Sequence, residues 1–218
     1  MPKPALAPSV VRPRDAASLL IYRRSGAGVE VLMGKRRPGA RFLPDVYVFP
    51  GGAVDAADAL GHDLAGGAAH NDFSPQWAQA LAVRQSWQVA ALLRAALREA
   101  QEESGWRWRG ATLPGLDRTG LRYIGRAITP AQSPRRFHAR FFAVPCERMQ
   151  QDAHADGELL DLRWVDAHNP AHLPIIDVTE FMLAELQQEL SGQRTGFPLL
   201  SYVNDTVRVR RWPFSLSS

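Results

Sequence analysis

The chain is poor in cysteine and lysine and has no long apolar run. One cysteine, Cys146, stands among 218 residues, so no intramolecular disulfide can form. That excludes a disulfide-stapled secreted scaffold and points to a reducing, cytoplasmic setting. No stretch approaches the ~20 apolar residues that cross a bilayer, which excludes a helical membrane anchor. The opening MPKPALAPSVVRPRD is broken by proline before the apolar core of a secretory signal can build. Lysine is confined to Lys3 and Lys35 against 24 arginines, and the net charge is only +4. With the arginines scattered, this mild balance speaks against nucleic acid as a partner. Three groups do cluster: Arg36, Arg37 and Arg41; Arg135, Arg136 and Arg140; Arg208, Arg210 and Arg211. The arginine fork suits phosphate oxygens, so an anionic small molecule is the expected ligand class.

A hydrophobic share of 45% is enough for a sizeable core, and no repeat or low-complexity tract divides the chain. We read residues 1–14 as an irregular arm and 15–218 as one domain. Strands are predicted at 17–23 and 29–34, joined through the hairpin composition Ser25-Gly26-Ala27-Gly28, and at 46–49. Pro50-Gly51-Gly52 then reads as a turn using backbone angles open to glycine. Residues 59–75 have loop composition, and Ser74-Pro75 reads as a helix start. Helical periodicity runs from 76 to 104, a length open to one helix or two with no break that the residues place, and Gly105 is its C-terminal stop. Further strands are expected at 121–128, 137–144, 159–165 and 206–212, with a helix at 179–190 capped by Thr179. Strands and helices mix without regular alternation, so the fold class is α+β.

The informative segment is REAQEESGW, residues 98–106. Glu99, Glu102 and Glu103 fall at i, i+3 and i+4, on one helix face. Like charges at that spacing oppose the helix by roughly 0.2–0.5 kcal/mol per pair. Gly105 also puts Glu102 and Glu103 in the last turn, where the helix dipole disfavours anions. A bound cation would offset both penalties, and three hard oxygen donors suit Mg²⁺ or Mn²⁺. An exposed acidic face is the competing reading of the same nonapeptide. His62, Asp63, His70 and Asp72 lack tight zinc-ligand spacing and read as loop residues. Cys146 reads as a buried apolar residue. Trp87, Trp164 and Trp212 read as core, and Trp106 and Trp108 as a base-stacking wall. The C-terminal VRVRRWPF leaves edge strand, dimer arm and substrate lid open.

With VYVFPGGAVDAAD upstream, this segment resembles the Nudix box of the Nudix hydrolases. Gly52 matches the opening glycine; Arg98, Glu99, Glu102, Glu103 and Gly105 match the helical half, with Ala100 and Trp106 in the apolar slots. Asp58 stands where the family has Glu. It lies 39 residues before Arg98 instead of seven, an insertion of 32 that we place at about 59–90. Residues 31–52, VLMGKRRPGARFLPDVYVFPGG, resemble the signature before the box in coenzyme A diphosphatases. Arg36, Arg41 and Phe49 to Gly52 hold its spacing; Val31-Leu32-Met33, Arg37 and Asp45 depart from it. ITPAQSPRRFHARFFAVP is similar to the peroxisomal branch, with His138 where an Asp is usual.

The resemblance implies an α/β/α sandwich with a mixed central sheet and an inserted helical segment. It implies a Mg²⁺- or Mn²⁺-dependent hydrolase that cleaves a diphosphate linkage in a nucleoside diphosphate derivative, coenzyme A or acyl-coenzyme A first. ADP-ribose, NADH and other nucleotides are the alternatives, and a nucleotide sensor without catalysis is another. Glu99, Glu102 and Glu103 become metal ligands and catalytic groups, with Arg98 orienting them. Glu158 is the candidate further ligand, ahead of Glu147 and Asp156. Gly51 and Gly52 would admit metal or phosphate to the backbone, and Arg36, Arg37 and Arg41 would contact substrate phosphates. A homodimer is a family-level expectation, and no membrane partner is expected.

Overall fold

The computed structural model describes residues 11–26, 28–40, 42–60, 75–110, 113, 120–152, 158–170 and 172–213. In chain order the strands are β1 (Arg14–Ser25), β2 (Gly28–Lys35), β3 (Tyr47–Val48) and β4 (Gly51–Ala53). Helices α1 (Ala56–Leu60), α2 (Pro75–Leu81) and α3 (Ser86–Ser104) follow. After them come β5 (Trp106–Trp108), β6 (Arg122–Ile128), β7 (Phe137–Pro145), a 3-10 turn (Cys146–Arg148), β8 (Met149–Gln151) and β9 (Leu160–Asp166). Helix α4 (Asp177–Leu190) and the strands β10 (Phe197–Val203) and β11 (Thr206–Trp212) complete it.

The main sheet has the order β11-β10-β6-β7-β1-β2-β3, with β4 also on β1 and β9 also on β2. The β7–β1 and β10–β6 pairs are parallel and the others antiparallel, so the sheet is mixed. Successive side chains of β1 serve opposite faces. Ala17, Leu19 and Ile21 join a core with α3, whereas Leu20 and Tyr22 join a second core with Met182, Leu183 and Leu186 of α4. Both faces are therefore covered, giving the α/β/α sandwich. On α3 the side chains of Val89, Leu92, Leu93, Ala96, Leu97 and Ala100 are buried against β1 and its neighbours. The larger ones contribute roughly 1.5–3 kcal/mol each. This packing fixes where the carboxylates that follow them must lie.

Several local expectations are settled or changed. The 76–104 segment is two helices, and the break falls where α2 ends and Ala82 takes a left-handed φ of 52°. The buried Arg140 of β7 holds the end of α2 there, its Nε donating to the Leu81 carbonyl at 3.0 Å. Gln88 then starts α3 by accepting the Gln85 N–H at 3.0 Å. That interruption is a tertiary event, and no glycine or proline announces it. Thr179 lies buried inside α4, which starts two residues earlier after the N-cap Ile176. Gly51 and Gly52 are extended, not a turn, pairing with Ser18 and Ala17. The β10 strand escaped the sequence; it forms a hairpin with β11 through Asn204 and Asp205, both left-handed, at φ 48° and 61°. Trp87 is 45% exposed rather than core, and Cys146 is half-buried. β11 lies exposed at the edge of the sheet, as the edge-strand alternative for the C-terminal segment expects. Arg41, Asp156, the four acidic and histidine residues between 62 and 72, and residues 61–74 of the 59–90 segment lie outside the described residues.

Candidate active site

The site forms where the C-terminal half of α3 crosses β4. Packing of the apolar face of α3 turns Glu99 and Glu103 toward the Gly51-Gly52 backbone, and Gly105, with φ 74°, ends the helix immediately after. Gly51 donates its N–H to Glu103 Oε2 at 2.7 Å. Gly52 is required for space: a Cβ there would stand 2.3 Å from Glu99 Oε1. At Gly51 it would stand 2.2 Å from Ser18 Oγ. Gly52 thus admits the Glu99 carboxylate to the backbone and Gly51 lets β4 approach β1 at Ser18, a different reason from the dihedral freedom expected of them.

Arg98 organises the other side. Its Nε and Nη2 donate to Asp58 Oδ1 and Oδ2 at 3.2 and 3.0 Å, a two-point grip on a carboxylate only 4% exposed. Nη1 donates to Glu99 at 2.9 Å and to Glu102 at 3.0 Å, and Nη2 also reaches the Ala53 carbonyl at 3.2 Å. The hydrogen bonds to Asp58 lead the effects that raise the Arg98 pKa. Asp58 and Arg98, 39 residues apart in between, therefore meet as the two halves of one motif do. Asp55 adds a longer ion pair, Oδ2 to Nη2 at 3.7 Å, which the sequence reading missed. So did the Arg94 Nη1 bond to the Asp58 carbonyl at 3.0 Å; no local pattern marks either.

The three glutamates are not equivalent. Glu103 is 7% exposed, and burial pushes its pKa up to about 7, with Glu99 and Glu158 raising it and the Gly51 N–H and Arg36 opposing. Glu99 is raised as well, by burial first, with Arg98 opposing. Glu102 has a side chain 54% exposed and lies along Arg98 on the rim. Among the described residues no three His, Cys, Asp or Glu side chains are already gathered as a closed metal site. The donors fit a hard divalent cation nonetheless: Glu99 and Glu103 are carboxylates that disfavour each other's charge in a desolvated place. A cation beside them would remove both the burial cost and the mutual repulsion.

Glu158 is brought near: it lies within electrostatic reach of Glu103, and the next residue, Leu159, donates its N–H to the Glu103 carbonyl at 3.2 Å. Arg37 Nε donates to the Glu158 carbonyl at 3.1 Å, and Arg36, near Glu103, donates to the Phe42 carbonyl at 3.0 Å. Glu147 is not brought in; it sits in the 3-10 turn, beside Cys146. Trp106 packs edge-on against Trp164 and, with Trp108, lies against the α3-side core, so neither presents an open stacking wall there.

No family model matches the chain. A curated Caenorhabditis elegans relative, named as nudix hydrolase 7, is 28% identical over 160 residues, 70% of this chain and 51% of the relative. The chain thus spans about half the length of that relative. The crystal structure of a Nudix hydrolase from Alicyclobacillus acidocaldarius superposes with a TM-score of 0.57 at 24% identity, covering 82% of this chain and 93% of that one. A MutT protein from Bacillus halodurans gives a TM-score of 0.51 at 12% identity, covering 90% and 97%. No helix of the described residues is long and apolar enough to cross a membrane. The chain has the fold of these Nudix hydrolase structures.

Proposed function

We propose that the protein is a divalent-cation-dependent pyrophosphohydrolase that cleaves the diphosphate linkage of a nucleoside diphosphate derivative. The observation that carries this reading is the pair of desolvated carboxylates, Glu99 and Glu103, set against Gly51-Gly52 and tethered by Arg98 to Asp58. Glu99 and Glu103 would hold Mg²⁺ or Mn²⁺, with Glu158 and the rim carboxylate Glu102 completing the set. When bound, the ion supplies charge neutralisation for a diphosphate and for the water that attacks it. Arg98 fixes the rotamer of Glu99 and the position of Glu102, and Gly51 does the same for Glu103. In the metal-free protein Glu103 can hold a proton at Oε1 while Oε2 stays on the Gly51 N–H, and a bound cation would displace that proton. Arg36 is placed to meet phosphate oxygens beside Glu103, and we assign Arg41, four residues beyond Arg37, to the same task.

Coenzyme A or its thioesters is the preferred substrate in this reading. Its support is the resemblance of residues 31–52 to the coenzyme A diphosphatase signature, with the inserted segment at about 59–90. Incubation with Mg²⁺ and a panel of nucleotides, with products identified by mass, tests it. Coenzyme A should give 3′,5′-ADP and 4′-phosphopantetheine. ADP-ribose giving AMP faster would move the assignment to that substrate, and binding with no turnover of any member would replace hydrolysis by sensing. We place the protein in the cytoplasm on its single cysteine, and a homodimer is the expected assembly.

A further inference from the structure

Cross-strand pairing places Gly52, Ala17, Arg140, Arg126, Leu199 and Arg210 on one rung of the sheet. Paired residues share a face, and Ala17 belongs to the core on the α3 side. The rung therefore starts beneath Glu99 and carries three arginines away from it on the same face, of which Arg210 on the edge strand is exposed. Arg140, 1% exposed, is fully committed: it pairs with Asp15 and donates to the carbonyls of Leu81, Ala82 and His138.

Arg126 is different. It is 8% exposed; His138 Nε2 lies 3.3 Å from Nη1 and the guanidinium stacks over the Trp212 ring at 4.6 Å, with Tyr123 and Arg140 also within electrostatic reach. Among the described residues no carboxylate pairs with it. Asp15 is held by Arg140, and His138 is kept neutral, its pKa pushed down to about 3 by burial and the two arginines. A ring face and a neutral imidazole offset part of the cost of this buried charge but supply no counter-charge, and simple filling of this place would be served by an apolar side chain. The guanidinium fork is matched to phosphoryl oxygens, and an indole beside it forms an apolar wall for the group that carries them. Trp212 ends the edge strand β11, where one side only is paired, so it can yield to a ligand.

We propose that Arg126, walled by Trp212 and His138, binds a phosphoryl group. The site itself stands on the unmatched buried charge. Its assignment to the substrate rests on the hydrolase reading above. Arg126 and Gly52 are three strands apart, about 14 Å at the usual strand spacing. That span suits a second phosphoryl group of a nucleotide derivative, separate from the diphosphate being cleaved.

Inorganic phosphate and 3′,5′-ADP, titrated calorimetrically into the metal-free protein, test the site without calling on the carboxylates. Arg126→Gln should lower phosphate affinity at least tenfold, Trp212→Phe by a smaller factor, and Glu103→Gln should retain it. Far-UV circular dichroism checks folding, and Arg126→Lys, which keeps the charge but not the fork, should bind with intermediate affinity if Arg126→Gln does not fold. Wild-type phosphate affinity in whichever Arg126 variant folds overturns the proposal. With Mg²⁺, a KM raised in the variant for coenzyme A but not for its dephospho form assigns the phosphoryl group to the substrate. Lost phosphate binding with both KM values unchanged overturns that assignment and makes the ligand a free anion. Should the wild type bind phosphate yet hydrolyse neither compound, the hydrolase reading fails and the anion site stands.

Discussion

Replacing Asp58 by Asn probes the joint between the two halves of the site. Asp58 is 4% exposed and accepts three hydrogen bonds from described groups: two from Arg98, and one at 2.8 Å from the N–H of Asp55. Asn keeps the shape but has one carbonyl oxygen, so its amide faces the guanidinium in either orientation, donor against donor, and in one of them the Asp55 N–H as well. Hydrogen bonds to charged groups are worth about 1.5–3 kcal/mol, and leaving a buried donor unmatched costs about 1–3 kcal/mol. Removing one member of a buried ion pair costs about 3–5 kcal/mol. Arg98 is 23% exposed and keeps Glu99, Glu102 and the Ala53 carbonyl, so the lower part of that range applies. We expect a loss of about 2–4 kcal/mol, read as the shift in urea midpoint at unchanged m value. A double-mutant cycle with Arg98→Gln should give a coupling of about 1–3 kcal/mol. A change within about 0.5 kcal/mol, the usual size of an inert surface substitution, would refute the idea that this pair closes the site.

Gly52→Ala should cost about 1–3 kcal/mol by overpacking, because its Cβ would meet Glu99 at 2.3 Å, and it should lower kcat as Glu99 is displaced. Equal activity in that variant would show that Glu99 need not lie against β4. Glu103 titrates at about 7 in the folded chain against an ordinary 4.5, so between those values the folded state holds a proton that the unfolded state has lost. The Glu103 contribution to metal-free stability is therefore largest below pH 4.5 and is lost as the pH rises to 7, by about 3 kcal/mol at ~1.4 kcal/mol per unit, while His138, its pKa lowered to about 3, acts in the opposite sense. Urea titrations in chelator should show this loss in the difference between wild type and Glu103→Gln, which leaves the His138 contribution in both; a difference that does not change with pH would assign the proton to another group. Above pH 7, Mg²⁺ or Mn²⁺ should raise the melting temperature of the wild type, and chelation should reverse it, with no response in Glu103→Gln. A response that survives this substitution would place the ion elsewhere.

Much of this architecture was legible in the chain. Periodicity in β1, β2, β6, β7 and α3 is a local property, because each of these elements buries whole faces and the burial is written in residue spacing. The carboxylate triplet and its glycine stop were legible for the same reason. What local pattern could not carry was set by distant partners. Arg140 interrupts the 76–104 helix at Ala82, Asp58 closes on Arg98 across 39 intervening residues, and β10 reads as coil until β6 pairs with it. Spacing alone also treated Glu99, Glu102 and Glu103 as equals. Only the tertiary structure ranked them, because desolvation depends on what packs over a side chain: β4 covers Glu103 and leaves Glu102 on the rim with Arg98. The sequence by itself determined which acids share a helix face, since helical geometry is local; packing across the sheet decided which of them lose their water, since burial is not.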